Sequence, residues 1–406
     1  MNLVVQKYGG SSLADADKIK EVARRIVKTW EGGWRVVVVV SAMGDSTDDL
    51  ITLASEVSQH PEPRELDLLL SSGEVVSCTL MAMALRSLGC EAISLTGLQA
   101  GIHTDTSYGK ARIDRVDTDR MVRELEAGRI VVVAGFQGFT ENLDVTTLGR
   151  GGSDTSAVAL AVALKAQRCE VYTDVEGIYT ADPRVVPQAR KLSHIPYEEM
   201  LELAAYGAKM TPRSIELGAM YNVPIYVASS FTEATGTLIS GDVPMMEHRV
   251  KVTGIAHDRN VAKLTLRGVP DRPGVAAALF EPLSDAGVSV DTIVQNASLD
   301  GLTDLSFTVT RNDFPHATRQ VKSLVQEMGA RELVTDDSLC KVSIVGAGML
   351  DAPGYASRMF RTLADASINI DMITTSEIRI TCIIAEAQVG EAVRVLHKAF
   401  QLEEPE

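Results

Sequence analysis

Residues 3–27 read LVVQKYGGSSLADADKIKEVARRIV, and their order decides the fold class. A short β-branched run, Leu3-Val4-Val5, gives way to Gly9-Gly10, after which Ile19, Val22, Ala23, Ile26 and Val27 keep the 3.6-residue period of an amphipathic helix. Ser12 with Asp15 resembles a capping box at its start. The same order recurs up to about residue 240. Val36 to Val40, Ala92 to Leu95, Ile130 to Ala134, Glu170 to Thr173 and Pro224 to Ala228 are short strand-like runs, separated by Gly-rich or polar loops and helical patterns. Runs without polar alternation read as strands buried on both faces, so the expected class is α/β, a mainly parallel sheet between helices. Ligands of such sheets bind beyond the carboxyl ends of the strands, and the loops there are where chemistry is sought.

After residue 260 the pattern changes to an internal repeat at a constant offset of 80. Pro273-Gly274, Ala276, Phe280, Leu283, Asp285-Ala286, Asp291 and Ile293 recur as Pro353-Gly354, Ala356, Phe360, Leu363, Asp365-Ala366, Asp371 and Ile373. The first copy reads as a βαββαβ unit: strands over 262–266, 288–294, 305–309 and 332–335, with helices over 273–286 and 315–328. The second copy lacks its last strand, and an orphan strand-like segment, Val250 to Ala256, precedes the first. We infer that this segment completes the second copy, so that the first is inserted within it. The expected boundaries are 1–244 for the α/β domain, 260–336 for the first repeat, and 249–258 with 339–402 for the second.

Composition narrows the function classes. The chain has 406 residues, 45% hydrophobic and 23% charged, with a mean hydropathy of +0.07, ordinary values for a globular enzyme of two to three domains. Its net charge of −15 is spread along the chain: from Pro244 onward 16 basic residues meet 22 acidic ones, leaving 23 and 32 before it. Such a field repels phosphate backbones and anionic membranes, so neither nucleic acid nor membrane is an expected partner, and an anionic substrate needs a local basic cluster. Cys78, Cys90, Cys169, Cys340 and Cys382 form no CxxC pair, which reads as buried thiols in a reducing, cytoplasmic setting. The seven histidines form no metal-ligand pattern, and no signal peptide or apolar run of membrane length is read.

Five loops carry candidate chemistry. Lys7-Tyr8-Gly9-Gly10-Ser11-Ser12 suits an anion, with two glycines letting amides approach a phosphate and Lys7 reaching it; alone, it reads at least as well as a tight turn. Gly149-Arg150-Gly151-Gly152-Ser153-Asp154 opens a helix over 157–166, and is either an anion cradle or a flexible joint with an N-cap. Ser71-Ser72-Gly73-Glu74 precedes an apolar helix over 75–85, where Glu74 either meets an ammonium group or faces the helix dipole as a first-turn acid. Ser41-Ala42-Met43-Gly44 and Thr173-Asp174, with Tyr179 and Asp182-Pro183-Arg184, also follow strands and are otherwise turn chemistry.

Taken together, these loops resemble the aspartate kinase family, an amino-acid kinase fold followed by two ferredoxin-like ACT domains. The residues carrying the resemblance are Lys7 to Ser12, Val40 to Gly44, Ser72-Gly73-Glu74, Gly149 to Asp154, Tyr172 to Tyr179, Asp182-Pro183-Arg184 and the Pro-Gly repeats, in the family's order over the whole chain. The resemblance implies ATP- and Mg2+-dependent phosphorylation of the β-carboxylate of L-aspartate. It assigns Lys7 and Asp154 to catalysis, and Ser41, Thr47, Glu74, Phe136, Arg150 and Ser153 to aspartate. Lys7, Tyr8, Gly9, Gly10, Thr173, Asp174, Tyr179, Arg184 and Lys209 are assigned to ATP. No protein side chain is identified as a dedicated metal ligand. In one place the pattern departs: Gly207-Ala208-Lys209-Met210-Thr211-Pro212 is one residue shorter than the family's loop and has Thr211 for histidine.

The ACT pair implies feedback by lysine, threonine or both. Its effector positions correspond to Asp271, Gly274, Ala276, Asp291 and Gln295 in the first copy, with Asn369, Ile370 and Ser376 in the facing segment of the second. The resemblance also implies a homo-oligomer through the ACT domains and, in some relatives, a separate regulatory subunit, for which a start near Met245 is the candidate here. Two other readings are a catalytically inactive amino-acid sensor and a related carboxylate kinase of the same fold.

Overall fold

The computed structural model describes residues 2–205, 210–241, 252–296, 301–349 and 353–404. The chain forms two compact units, Met1–Ile178 with Lys191–Met246, and Tyr179–Arg190 with Glu247–Glu406.

The first unit begins with β1 (Leu3–Tyr8), α1 (Ala16–Glu31), β2 (Arg35–Val40), α2 (Ser46–Val57), α3 (Pro63–Ser87) and β3 (Ala92–Leu95). It continues through β4 (Ile102–Thr104), β5 (Ile113–Val116), α4 (Asp119–Glu126), β6 (Ile130–Ala134), β7 (Gln137–Phe139), β8 (Val145–Thr147) and α5 (Gly152–Ala163). β9 (Arg168–Thr173), β10 (His194–Ile195), α6 (Tyr197–Ala205), α7 (Pro212–Tyr221), β11 (Ile225–Ser229) and β12 (Thr237–Ile239) complete it. Eight strands make one sheet in the order β10-β12-β11-β9-β1-β2-β6-β3, parallel throughout except for the β11–β12 pair. Its centre is dry: Val36 to Val40 and Ile130 to Ala134 are fully buried, as unbroken runs between two helical layers must be. A separate four-stranded sheet, β5-β4-β7-β8, consists of strands of three or four residues, too short to leave a periodic signal in sequence.

Three helix starts differ from the sequence reading. Asp15, not Ser12, caps α1 by accepting from the Lys18 amide at 2.9 Å, and Ser12 lies in a short 3-10 turn with its hydroxyl on Ser230 at 2.7 Å. α5 begins at Gly152, with left-handed Gly151 as its cap, which puts Ser153 and Asp154 inside the first turn. α3 runs unbroken from Pro63 to Ser87, so Glu74 lies mid-helix and the macrodipole explanation for it falls away. Gly73 does not interrupt that helix; a Cβ there would come within 2.9 Å of the Ala42 methyl, so the glycine lets the loop after β2 pack closely on α3. By length and composition α3 is also apolar enough to cross a membrane, contrary to the sequence reading; half of its most apolar window is buried inside the unit, and its buried face carries Asp67 and Glu74.

The second unit contains β13 (Gly254–Pro270), α8 (Val275–Asp285), β14 (Val290–Gln295), β15 (Leu302–Val309), α9 (Phe314–Glu327) and β16 (Glu332–Val345). α10 (Tyr355–Asp365), β17 (Met372–Thr375), β18 (Arg379–Ala385) and α11 (Val389–Ala399) follow. The two repeats share one six-stranded sheet, β14-β15-β13-β16-β18-β17. The orphan segment is the first part of β13, pairing antiparallel with the last part of β16 from Gly254↔Val345 to Asp258↔Lys341. The strands expected as four are two long ones, each running through both repeats, with register shifts between Asp258 and Lys263. Each repeat keeps its own core, one around Leu264, Leu279 and Phe307, the other around Val342, Met359 and Val393.

The second core also takes in Ala181 and Val186, both 3% exposed, from residues 179–190. This segment is further held by the Ile255 amide donating to the Thr180 carbonyl at 2.7 Å, and by a 2.9 Å hydrogen bond between the Thr180 hydroxyl and His397 Nε2. The expected 1–244 domain therefore gives up these residues to its neighbour. All five cysteines are free and buried, and burial pushes the Cys78, Cys340 and Cys382 thiols up to about 12, far from a reactive thiolate.

Candidate active site

The carboxyl ends of β1, β2, β6 and β9 lie along one edge because their registers match: Tyr8 pairs with Val40 and Tyr172, and Val40 with Ala134. The Lys7, Ser41 and Thr173 loops leave from that edge, whereas Gly149 to Asp154 follows β8 of the small sheet and opens α5, and Ser71 to Glu74 lies within α3. Lys7, the last residue but one of β1, is nine-tenths buried, its ammonium 2.6 Å from an Asp154 carboxylate oxygen in the first turn of α5. The Gly9 amide donates to the Tyr172 carbonyl at 3.2 Å, and a Cβ on Gly9 would sit only 3.6 Å from the Lys7 ammonium. A Cβ on Gly10 would strike the Ala42 and Gly44 carbonyl oxygens at 2.8 and 2.9 Å, so the β1 and β2 loops touch backbone to backbone. Beside Asp154, the buried Thr155 hydroxyl has no hydrogen-bond partner among the described residues. A cation, bare backbone and an unspent donor at a helix start form a cradle suited to a phosphate chain.

Glu74 is 3% exposed and accepts from the Ala42 amide at 3.1 Å through Oε1, while Oε2 has no partner among the described residues. Burial pushes its carboxyl up to about 7, the backbone hydrogen bond offsetting only part of that rise. A buried acid with one idle oxygen is poised for a cationic group. The Ser77 hydroxyl donates to the Ser41 carbonyl at 2.7 Å, fixing the loop on which Ser41 sits, and Thr47 lies one residue into α2. Phe136 holds a left-handed backbone, φ 66°, uncommon for a bulky residue; its amide donates to Ser156 Oγ at 3.1 Å, and its ring lies where a Gly152 Cβ would come within 3.0 Å. Ser153 is buried against Gly135, whose Cβ would meet it at 2.9 Å. Arg150 differs from these: its side chain is 91% exposed, and its recorded ion-pair partner is Asp48, at 3.7 Å.

The nucleotide set is divided. Thr173 ends β9 in the first unit and Asp174 follows it, the Thr173 hydroxyl donating to Asp174 at 3.0 Å and its carbonyl accepting from the Ser230 amide at 2.9 Å. Tyr179 and Arg184 belong to the second unit, where the Arg184 guanidinium grips Asp182 at 2.7 Å. Lys209 lies outside the described residues. Among the described residues there is no cluster of three or more potential metal ligands.

The effector positions are also divided. Asp271, Gly274 and Ala276 are exposed around the start of α8, and Asp291 forms an ion pair with buried Lys341. Asn369, Ile370 and Ser376 flank β17, whereas Asp291 and Gln295 lie on β14, at the opposite edge of the six-stranded sheet. Within one chain the β14 positions and those flanking β17 are thus separated by the width of the sheet.

Sequence reasoning missed several residues that hold the site. Thr211, seen there only as a departure from a pattern, donates to the Gly151 carbonyl at 3.1 Å and lies 3.4 Å from Asp154. Ser230 joins Ser12 to Thr173. Arg213 and Asp67 grip the backbone just before Arg150. For Asp67 a signal existed, since it lies two helical turns before Glu74 on one face of α3.

The amino acid kinase family model matches residues 2–229, and ACT domain models match residues 264–326 and 342–400. An aspartate kinase of Stutzerimonas stutzeri is 51% identical over 406 residues, covering 100% of this chain and 98% of the relative. An aspartokinase of Mycolicibacterium smegmatis is 52% identical over 99% of this chain and 97% of its own length. Among solved structures, E. coli aspartokinase III in complex with aspartate and ADP superposes with a TM-score of 0.84 at 26% identity, covering 98% of this chain and 99% of that one. The same enzyme in complex with lysine and aspartate gives 0.74 over the same coverage.

Proposed function

The chain belongs to the aspartate kinase family, and on that premise we propose that it moves the γ-phosphoryl group of ATP onto the β-carboxylate of L-aspartate, releasing ADP and 4-phospho-L-aspartate. A β-carboxylate oxygen attacks the γ-phosphorus while the bond from that phosphorus to the bridging oxygen of ADP breaks, the electron pair leaving with ADP. The nucleophile is already an anion, so the protein's task is alignment and charge stabilisation. The observation that carries this reading is the Lys7–Asp154 pair, 2.6 Å apart, on the same sheet edge as the unpartnered Glu74 oxygen.

In this reading Lys7 neutralises charge on the transferring group, Asp154 aims Lys7, and Gly9 and Gly10 admit the phosphates beside Tyr8. Bound with ATP, Mg2+ supplies further charge neutralisation on the phosphates, and Asp154 is the carboxylate beside the cradle that would hold it. Glu74 takes the α-ammonium and Arg150 a carboxylate, with Ser41, Thr47, Phe136 and Ser153 lining the pocket between them. Thr173, Asp174, Tyr179, Arg184 and Lys209 serve the nucleotide. An ATP- and Mg2+-dependent hydroxamate assay separates this reading from its alternatives. Product is expected with aspartate and not with glutamate or N-acetylglutamate, and no aspartate-dependent product would overturn it.

The reaction is placed in the cytoplasm, as the first step toward lysine, threonine and methionine, with lysine or threonine acting through the ACT unit. Because β14 and β17 are opposite edges of one sheet, a second copy of the chain is what brings the two effector groups together, which supports a homo-oligomer built through these domains. Asp271→Ala is expected to raise the lysine or threonine concentration needed for half-inhibition by about tenfold, the typical size of an allosteric coupling, with uninhibited turnover kept. Unchanged inhibition in the same assay would place the effector elsewhere. The candidate start at Met245 for a separate regulatory subunit lies outside the described residues.

A further inference from the structure

The geometry points to Asp67 as a positioning residue for aspartate: from α3 it fixes the backbone that carries Arg150, and so sets where the substrate carboxylate is held. This rests on the reading of Arg150 given above. Asp67 is 1% exposed, yet it spends its oxygens on backbone and hydroxyl donors. It accepts from the Gly109 amide at 3.0 and 2.9 Å, from the Thr147 amide at 2.8 Å and from the Thr147 hydroxyl at 2.7 Å. Hydrogen bonds to an ionised acceptor are the strong ones, and a buried acid left without them is heavily penalised, so these contacts hold the segment firmly.

The opposite side of that segment is gripped by Arg213, at the start of α7, which donates to the Leu148 carbonyl at 2.9 Å and the Ala111 carbonyl at 3.0 Å. The Ala111 amide closes the brace on the Thr147 carbonyl at 2.9 Å. Residues 147 and 148 are thus clamped from both sides immediately before Gly149-Arg150-Gly151, where both glycines have left-handed backbones, φ 81° and 74°. The Arg150 side chain reaches from this loop into solvent. A long side chain on a glycine-rich loop loses much freedom when it binds, and an anchored base lowers that penalty.

α3 gives the clamp a further meaning. Asp67 and Glu74 both lie on its buried face, separated by about 10 Å along the axis, seven residues at 1.5 Å each. One rigid helix therefore sets both ends of the substrate site, the ammonium end directly through Glu74 and the carboxylate end through Asp67 and the Arg150 loop.

Asp67→Asn keeps the shape but turns an amide donor toward the Gly109 and Thr147 amides. It is expected to raise the KM for aspartate by about tenfold or more, the scale of a sub-ångström to ångström misplacement, with the KM for ATP within about twofold of the parent. In an Arg150→Ala background the same change should add less than about twofold, because the residue it positions is gone. If Arg150→Ala alone leaves the aspartate KM unchanged, the reading of Arg150 fails. If Arg150→Ala raises it but Asp67→Asn does not, or acts equally in both backgrounds, the positioning role of Asp67 is overturned. Should Asp67→Asn not fold, Arg213→Gln decides: the same selective rise supports the clamp, and an unchanged aspartate KM removes it.

Discussion

Lys7→Met is expected to lower kcat by roughly 10³-fold, the scale of losing one preorganised charge aimed at a developing anion. The ion pair complicates the measurement in a useful way. Lys7 and Asp154 are each at least nine-tenths buried, 2.6 Å apart, so removing the lysine alone leaves a buried carboxylate uncompensated, at about 3–5 kcal/mol of stability. Lys7→Met should therefore lose both turnover and melting temperature. The double variant Lys7→Met/Asp154→Asn removes both charges and should recover most of the melting temperature with none of the activity. Hydroxamate formation and thermal denaturation measured on the same samples separate the two effects. Near-normal turnover in either variant would take Lys7 out of the mechanism.

The second large effect belongs to Glu74. Its carboxyl is pushed up to about 7 by burial, against an ordinary value of 4.5, so between those values the folded protein binds a proton that the unfolded chain does not. Stability from this group is therefore full below about pH 4.5, falls as pH rises through 7 and is flat above it, with an upper limit of roughly 3 kcal/mol lost. Glu74→Gln should accordingly melt higher than the parent at pH 8 without ligand, and the gap should close on acidification toward pH 4.5. Binding runs the other way. An ammonium pairs with the ionised acid, so the parent's aspartate affinity should fall about tenfold per unit below pH 7, whereas Glu74→Gln should bind aspartate about 10²-fold more weakly at pH 8 with ATP binding kept. A variant that melts lower at pH 8, or loses aspartate and ATP equally, would refute the role.

Much of this was legible because it is local. The valines of β2 and β6 are buried on both faces and are written as unbroken runs, and the glycines after β1 and before α5 lie where backbone meets backbone or turns left-handed. What was misread also has local causes. Gly73 looks like a helix boundary in sequence, but in the fold it marks the close approach of the Ala42 loop, so a helix of 25 residues read as one starting near Val75. The polar stretch Asp258-Arg259-Asn260 read as a gap between strands, whereas β13 passes through it with shifted register. What could not be read is long-range. Nothing in Asp67 announces that its partners are Gly109 and Thr147, 42 and 80 residues away. Likewise the turn chemistry of Asp182-Pro183-Arg184 is silent about which core Ala181 and Val186 enter.

That last contact bears on inheritance. The C-terminal unit counts among its interior two residues, Ala181 and Val186, that are encoded upstream of Met245. A polypeptide translated from Met245 onward would fold its sheet around an apolar slot where Ala181 and Val186 belong, with Thr180 missing from His397. Fusion and fission of the two halves during evolution are therefore constrained by residues 179–190, a loop that codes for one domain and completes the other.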